Sequence, residues 1–563
     1  MTARLYQHRA HRRESAPLVN STHNRYWPST LPCHLTIPET GVSYNLEVSA
    51  ARFGAKAALV FYGHALSYAQ LHSEVNRLAG WLQQQGVGKG DRVLLNLQNS
   101  PQFVIAYYAI LRADAIVVPV NPMDRRQELH HILKDSGARL IIVAQDNWEV
   151  VAGIADDASL PVLLATYSDY LDGASRERAP DFIRAPRASL RDARVTYWAD
   201  ALALELQPTD WLATPADPSV IVYTSGTTGT PKGALHSHRS LMSTLVGAAA
   251  WSPIGPDDVV LAVLPLFHVT GMQWSMNAPI YAGATTILLP RWNAMEAGEL
   301  IAAHRVTCWN VISTMLVDFL NSEAVSRYDL SSLRKLGGGG AAMPAALAKK
   351  LEELGFIYAE GYGLTETMAQ THCNPREHAK RQCLGLPTFD VESLVIDPET
   401  LQELPQGEVG EIVSRGPQIF QGYWNNPEAT AAAFVQIGAE RYFRTGDLGR
   451  IDEDGYFFMV DRLKRMINAA GFKVWPAEVE TIMYAHPAIK EVCVVAGKDS
   501  YRGETVKAVI VLRPEARACT GAEAIIEWAR EHMAAYKVPR LISFVDALPR
   551  SGTGKVLWRT LQG

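Results

Sequence analysis

From residue 56 onward the chain alternates short β-branched runs with helical stretches, and this alternation constrains the fold more than any other feature. "DRVLLNL" (91–97) reads as a strand, "QFVIAYYAILRA" (102–113) as a helix and "AIVVPV" (115–120) as a strand. "ELHHILKDSG" (128–137) is helical again and "ARLIIVA" (138–144) strand-like. Strands linked by helices pair in parallel, because each crossover returns the next strand in the same direction. A second series carries the strands "SVIVYT" (219–224), "DVVLAVLP" (258–265), "ATTILLP" (284–290) and "TCWNVIS" (307–313). Between Gln145 and Asp217 the period weakens, and this stretch reads as an irregular connection. From Gly385 to Phe458 short apolar pieces lie between turn signals, which predicts antiparallel strands in a small barrel or distorted sheet. The text after "VDRLKRMINAAG" (460–471) predicts a small α+β unit with its own core.

The 563 residues correspond to about four structural units. With 48% apolar and 20% charged residues the chain falls in the range of folded proteins. A net charge of −5 provides no overall basic field, which argues against nucleic acid as a partner. The six cysteines include no C-x-x-C pair, so neither a disulfide framework nor a zinc site is expected and a reducing compartment fits. No apolar run reaches the 18 or more residues of a membrane span. These features predict a cytoplasmic enzyme; peripheral contact of the "HRAHRRES" segment with an anionic membrane and a homodimer both stay open.

The stretch "YTSGTTGTPKG" (223–233) follows a β-branched run and packs three glycines, five serine or threonine hydroxyls and one lysine into eleven residues. A loop with no large apolar side chain buries little, so its reason lies elsewhere than in packing. Gly226, Gly229 and Gly233 let successive N–H groups turn inward, Thr224, Ser225, Thr227, Thr228 and Thr230 add hydroxyl donors, and Lys232 adds a cation. That inventory fits a polyphosphate at the carboxyl edge of a sheet. The P-loop pattern G-x-x-x-x-G-K-[ST] is absent from the chain.

The same stretch, with "LPLFHVTGM" (264–272), "GYGLTET" (361–367), "YFRTGDLG" (442–449), "VDRLKRMINAAGFKVWPAEVE" (460–480) and "LPRSGTGKVLWR" (548–559) in order, resembles the adenylate-forming superfamily of acyl-CoA synthetases, luciferases and peptide-synthetase adenylation domains. The resemblance runs from about residue 56 to the C-terminus. It implies an α/β fold with an N-terminal extension (1–55), a large adenylating domain (56–463) and a mobile small domain (464–563). The large domain would comprise two parallel-sheet subdomains and a small barrel-like one. It also implies ATP, Mg²⁺ and coenzyme A as cofactors and a small-molecule carboxylic acid as substrate. By resemblance, Thr224, Ser225, Gly226, Thr227, Thr228, Gly229 and Lys232 hold the β- and γ-phosphates, Glu366 holds the metal and Thr365 contacts the α-phosphate. Tyr362 lies against the adenine, Asp447 and Arg462 bind the ribose, and Gly339, Gly340 and Ala341 border the nucleotide. Lys555 bridges the substrate carboxylate and the α-phosphate. Lys464 is the hinge, and Gly471 lines the pantetheine tunnel, where Ala470 stands in place of a frequent second glycine.

Within "LGGGGAAMPAALAKKLEELGFIYAEGYG", Gly337, Gly339 and Ala342 also satisfy G-x-G-x-x-[GA], with Glu360 some twenty residues on. A nicotinamide-dependent dehydrogenase is therefore the alternative from a different reaction class. For the acid, apolar text around His268, Val269, Met272 and Trp309, bordered by Gly338 and Gly339, suits an apolar chain. His268 and Val269 follow Phe267 where amino-acid-activating relatives place an aspartate, which disfavours an amino-acid substrate. The first expectation is a medium- or long-chain fatty acid and the second an aryl acid.

Overall fold

The computed structural model describes residues 25–154, 160–224, 231–340, 343–469, 472–499, 503–517, 519–550 and 556–562. Two large sheets form the body. The first has eight strands, in the order Gly422–Tyr423, Lys232–Ser237, Pro218–Thr224, Ile116–Pro119, Arg92–Asn96, Leu140–Ala144, Val162–Ala165 and Val195–Tyr197. It is parallel from Pro218–Thr224 outward to Val195–Tyr197. The second has nine strands: Leu386–Pro387, Ala369–Cys373, Tyr358–Leu364, Lys335–Gly339, Cys308–Asn310, Val259–Ala262, Thr285–Leu288, Ala57–Phe61 and His64–Ser67. Its six central strands are parallel and its edges antiparallel.

Two expectations change in detail. The sheets are mixed rather than purely parallel: Pro218–Thr224 and Lys232–Ser237 are an antiparallel hairpin, so the glycine- and threonine-rich loop joins two strands. The connection from Gln145 to Asp217 is not irregular throughout, because Val162–Ala165 and Val195–Tyr197 extend the first sheet within it. These strands are three or four residues long, too short to display a period.

The helix Pro101–Arg112 is buried on every side, as an apolar helix between two layers must be. Ser100 caps it, accepting from Phe103 N, and Pro101 at its first position has no N–H to leave unpaired. Helix Tyr68–Gln84 is amphipathic instead, burying Leu71, Val75, Leu78 and Leu82. Each such side chain contributes about 1.5–3 kcal/mol by leaving water. Asn99 ties the two sheets together at the site: its amide reaches the carbonyls of Ala262, Leu264 and Leu289, and its Oδ1 accepts from Leu266 N. The start of "LPLFHVTGM" is thereby fixed by one buried side chain.

A five-stranded antiparallel sheet joins Glu392–Ile396, Gly410–Arg415, Glu440–Ile451, Phe434–Ile437 and Phe457–Arg462. The C-terminal α+β unit has a second five-stranded sheet, Phe472–Val474, Ile467–Ala469, Gly503–Leu512, Ile489–Asp499 and Leu541–Phe544, with helices Pro476–Met483 and Ala522–His532. Ile467, Val479, Met483, Val494, Val506 and Ile525 form its core. Among the described residues no helix is long and apolar enough to cross a membrane.

Candidate active site

The hairpin brings Thr224 opposite Lys232 at the two ends of its loop, with Thr224 Oγ1 donating to the Lys232 carbonyl at 3.4 Å. Ser225, Gly226, Thr227, Thr228 and Gly229, between them, lie outside the described residues. Behind the loop, Tyr223 donates to Asp135 Oδ2 at 2.6 Å. Burial, and then Asp135, push its hydroxyl far above the ordinary phenol range, so it stays a donor.

Strand Tyr358–Leu364 ends in a single turn, Thr365–Thr367, that carries the acidic residue. Thr367 Oγ1 accepts from Leu364 N at 2.8 Å and closes the turn. The chain then passes through Met368 (φ 47°) and Ala369 (φ 80°), left-handed positions that cost a residue with a Cβ. A Cβ on Gly363 would lie 1.4 Å from the Ala369 carbonyl oxygen, so only glycine permits this doubling back. Three outside contacts hold the turn. His236 Nε2 is 2.8 Å from the Thr365 carbonyl, Phe420 N donates to the Glu366 carbonyl, and Tyr423 donates to Glu366 Oε1 at 2.7 Å. The carbonyl can only accept, so Nε2 carries the imidazole proton. Lys232 Nζ lies 5.2 Å from the centroid of the same Tyr423 ring.

A second tyrosine links this strand to the five-stranded sheet. Tyr362 donates to Asp447 Oδ2 at 2.7 Å, and Arg462 Nε lies 3.0 Å from Asp447 Oδ1. Asp447 and Arg462 are register partners on neighbouring strands, and Asp447 is only 1% exposed. Burial, followed by Asp447, pushes the Tyr362 hydroxyl far up. Lys464, just beyond, has its ammonium pushed down by partial burial and then by Lys232, Arg559 and Arg462. This places Lys464 among the site's cations.

Lys555, Ala341, Ala470 and Gly471 lie outside the described residues. The flanks of Lys555 are well anchored. Arg550 and Val556 form an antiparallel bridge, and Leu557 N donates to the Pro549 carbonyl at 2.8 Å. Trp558 and Leu561 pack on Cys493, Val495, Val509 and Val511.

Val269 and Met272 are fully buried in a cluster that includes Met242, Val246, Met368 and Ala369, and the preceding His268 is half-buried. Gly338 and Gly339 permit close backbone approach: a Cβ would meet the Val311 carbonyl at 2.0 Å or the Gly361 carbonyl at 2.3 Å. Gly340 turns with φ +88°. Trp309 corrects an expectation. Its ring stacks on Trp292 at 5.9 Å and meets Phe319 edge-on at 5.1 Å, inside a different cluster with Leu316 and Leu336. It is core packing, and in so short a strand the neighbouring Asn310 takes the opposite face, its amide 3.5 Å from the Trp274 carbonyl. Glu360, the acid of the dinucleotide pattern, is occupied by backbone: Oε2 accepts from Met343 N and Oε1 from Gln382 N. No residue pattern in "QGYWNNPEA" or "ALHSH" marks Tyr423 or His236.

Among the described residues no group of three or more His, Cys, Asp or Glu could hold a metal ion. Glu366, a single carboxylate at the phosphate loop, suits Mg²⁺, which takes one or two carboxylates together with phosphate oxygens and water.

His236 and His238 also set an acid limit on stability. Burial pushes both down to about 4. Above their unfolded value of about 6.5 both are neutral in either state. As the pH falls from there toward about 4, the unfolded chain binds two protons that the folded chain refuses, and stability drops. The expected loss approaches 1.4 kcal/mol per pH unit for each histidine across that window. Urea unfolding at pH 7.5 and pH 5 measures it, and His236→Gln with His238→Gln should flatten the slope.

Residues 46–424 match the model of the AMP-binding enzyme family and residues 478–555 that of the AMP-binding enzyme C-terminal domain. A long-chain-fatty-acid–CoA ligase of Bacillus subtilis (strain 168) is 35% identical over 95% of this chain and 96% of its own length. A feruloyl-CoA synthase of Amycolatopsis sp is 33% identical over 91% and 96%. The crystal structure of ATP-bound MatB from Rhodopseudomonas palustris superposes with a TM-score of 0.79 at 28% identity, covering 93% of this chain and 98% of that one. Similarity of this extent, together with the joined hairpin, Glu366 turn and Asp447–Arg462 pair, sets the dinucleotide reading aside: the chain belongs to the AMP-binding family of adenylate-forming acyl-CoA ligases.

Proposed function

We propose that the protein activates a medium- or long-chain fatty acid as its acyl-adenylate and passes the acyl group to coenzyme A. A free carboxylate repels nucleophiles and has a poor leaving group. Its oxygen therefore first attacks the α-phosphorus of ATP, the bond to pyrophosphate breaks, and the acyl-AMP has a good leaving group. The thiol sulfur of coenzyme A then bonds to the acyl carbon, AMP leaves with the electron pair, and the thiol proton is released.

The residues divide this work electrostatically. Thr224, Lys232 and the loop 225–229 receive the β- and γ-phosphates, and Thr365 the α-phosphate. Tyr362 lies under the adenine, with Gly339, Gly340 and Ala341 beside it, and Asp447 with Arg462 takes the ribose hydroxyls. Glu366 holds Mg²⁺, which neutralises phosphate charge when bound. Lys555 bridges carboxylate and α-phosphate, and rotation at Lys464 withdraws it and brings Gly471 to the pantetheine arm.

The observation that carries the choice of acid is the apolar setting of "LPLFHVTGM": Val269 and Met272 are buried in the same large core cluster as Met242, Val246 and Met368, and Met368 comes two residues after Glu366. Unbranched, polarizable side chains adapt to a flexible alkyl chain. The half-buried Trp274 favours the second reading, an aryl acid, because its indole could stack on a ring. Exchange of labelled pyrophosphate into ATP, run with straight-chain acids of increasing length and with cinnamates and benzoates, tests both. An optimum among the longer fatty acids is expected, and a maximum with an aryl acid would reverse the order.

A further inference from the structure

Lys232 and Glu366 carry opposite charges within reach of one tyrosine, and both are needed elsewhere: the cation for phosphate, the carboxylate for metal. We propose that Tyr423 is the positioning residue of this pair. Its hydroxyl fixes Glu366 and its ring holds Lys232, so that the two face the triphosphate instead of each other. The inference rests on the adenylating role given to both residues above.

Tyr423 is itself rigidly held. It lies on a two-residue strand in register with Ala234, one residue past Gly233, so it pairs with the hairpin that bears the loop. Trp424 N donates to the Gly233 carbonyl at 2.7 Å and Gln421 N to the Leu235 carbonyl at 2.8 Å. Tyr423 N donates to Thr430 Oγ1 at 2.9 Å, and the ring meets Phe420 edge-on at 4.9 Å. Next to it, Phe420 N holds the Glu366 carbonyl. One short segment therefore laces the phosphate hairpin to the metal turn through both backbone and side chain. Because the tyrosine hydroxyl donates to Oε1, the carboxylate has a set orientation, in which Oε2 would meet the ion. Partners that orient a metal-binding carboxylate typically matter tenfold or more for metal affinity.

The test compares the full-length protein with Tyr423→Phe, which keeps the ring and removes the hydroxyl. The Mg²⁺ concentration giving half-maximal acid-dependent pyrophosphate exchange should rise about tenfold. Mn²⁺ binding to the protein–ATP complex, followed by loss of the free-ion electron paramagnetic resonance signal, should weaken by a similar factor. The rise in melting temperature produced by AMP without metal should stay as in the wild type. Unchanged Mn²⁺ and Mg²⁺ dependence would overturn the proposal, as would equal weakening of AMP and Mn²⁺ binding, which marks a merely structural role. Tyr423→Leu also removes the ring beside Lys232 and should raise KM for ATP about threefold beyond Tyr423→Phe, the scale of one cation–π contact. Equal KM values would overturn the part assigned to Lys232. A wild-type protein without acid-dependent exchange would defeat the adenylation reading instead, while the Mn²⁺ measurement would still decide the role of Tyr423.

Discussion

Replacing Lys555 by alanine is expected to slow acyl-adenylate formation about 100- to 1000-fold, the effect of losing one fixed donor at a centre where charge develops. During attack the carboxylate oxygen and the phosphoryl oxygens bring negative charge together, and in the proposed role a single ammonium between them would relieve the repulsion on both sides. The effect requires the lysine to arrive at a fixed place. The Arg550–Val556 bridge closes the base of its loop, and Trp558 and Leu561 anchor the following residues on the back of the C-terminal sheet. Lys507 adds a bond to the Leu561 carbonyl at 3.0 Å. Thioester formation from supplied acyl-AMP should survive, since that step begins after the phosphoryl bond is made. Stopped-flow or quench measurements of the two half-reactions separate these outcomes. Equal impairment of both would remove Lys555 from its assigned role.

Much of this site could be read before the structure because its motifs need particular atoms at particular places. Glycines, hydroxyls and one lysine after a β-branched strand raise the expectation of an anion, and the strand and helix alternation announces the parallel sheet centres. What escaped reading has physical causes. The strand Lys232–Ser237, "KGALHS", is short and mixes polar with apolar residues, so the hairpin that carries the loop leaves no period-two signature. Trp309 fits an acyl wall by residue type alone. In a strand the side alternates at every residue, and composition does not say which side faces the ligand. Tyr423 and His236 act on Glu366 and Thr365 from 57 and 129 residues away in the chain, a relation that exists only once the sheets are assembled.

The second large effect is expected at Asp447. Asp447→Asn keeps the shape of the side chain and one oxygen for Arg462, with its amide nitrogen donating to the Tyr362 oxygen, but it removes the charge that would accept two ribose hydroxyls. Hydrogen bonds to a charged acceptor contribute about 1.5–3 kcal/mol, so affinity for ATP and AMP should fall about 10- to 100-fold. The KM for the acid should change little. Asp447→Ala goes further. It leaves the Tyr362 hydroxyl and the Arg462 guanidinium without their partner in a site where Asp447 itself is 1% exposed, and an unsatisfied buried group costs about 1–3 kcal/mol of stability. The asparagine variant should therefore melt near the wild type and bind nucleotide weakly, whereas the alanine variant should do both worse. Calorimetric titration with AMP and thermal melts of the two variants distinguish a ribose ligand from a structural linchpin. If Asp447→Asn binds AMP as the wild type does while Asp447→Ala melts early, Asp447 joins two sheets and the ribose is held elsewhere.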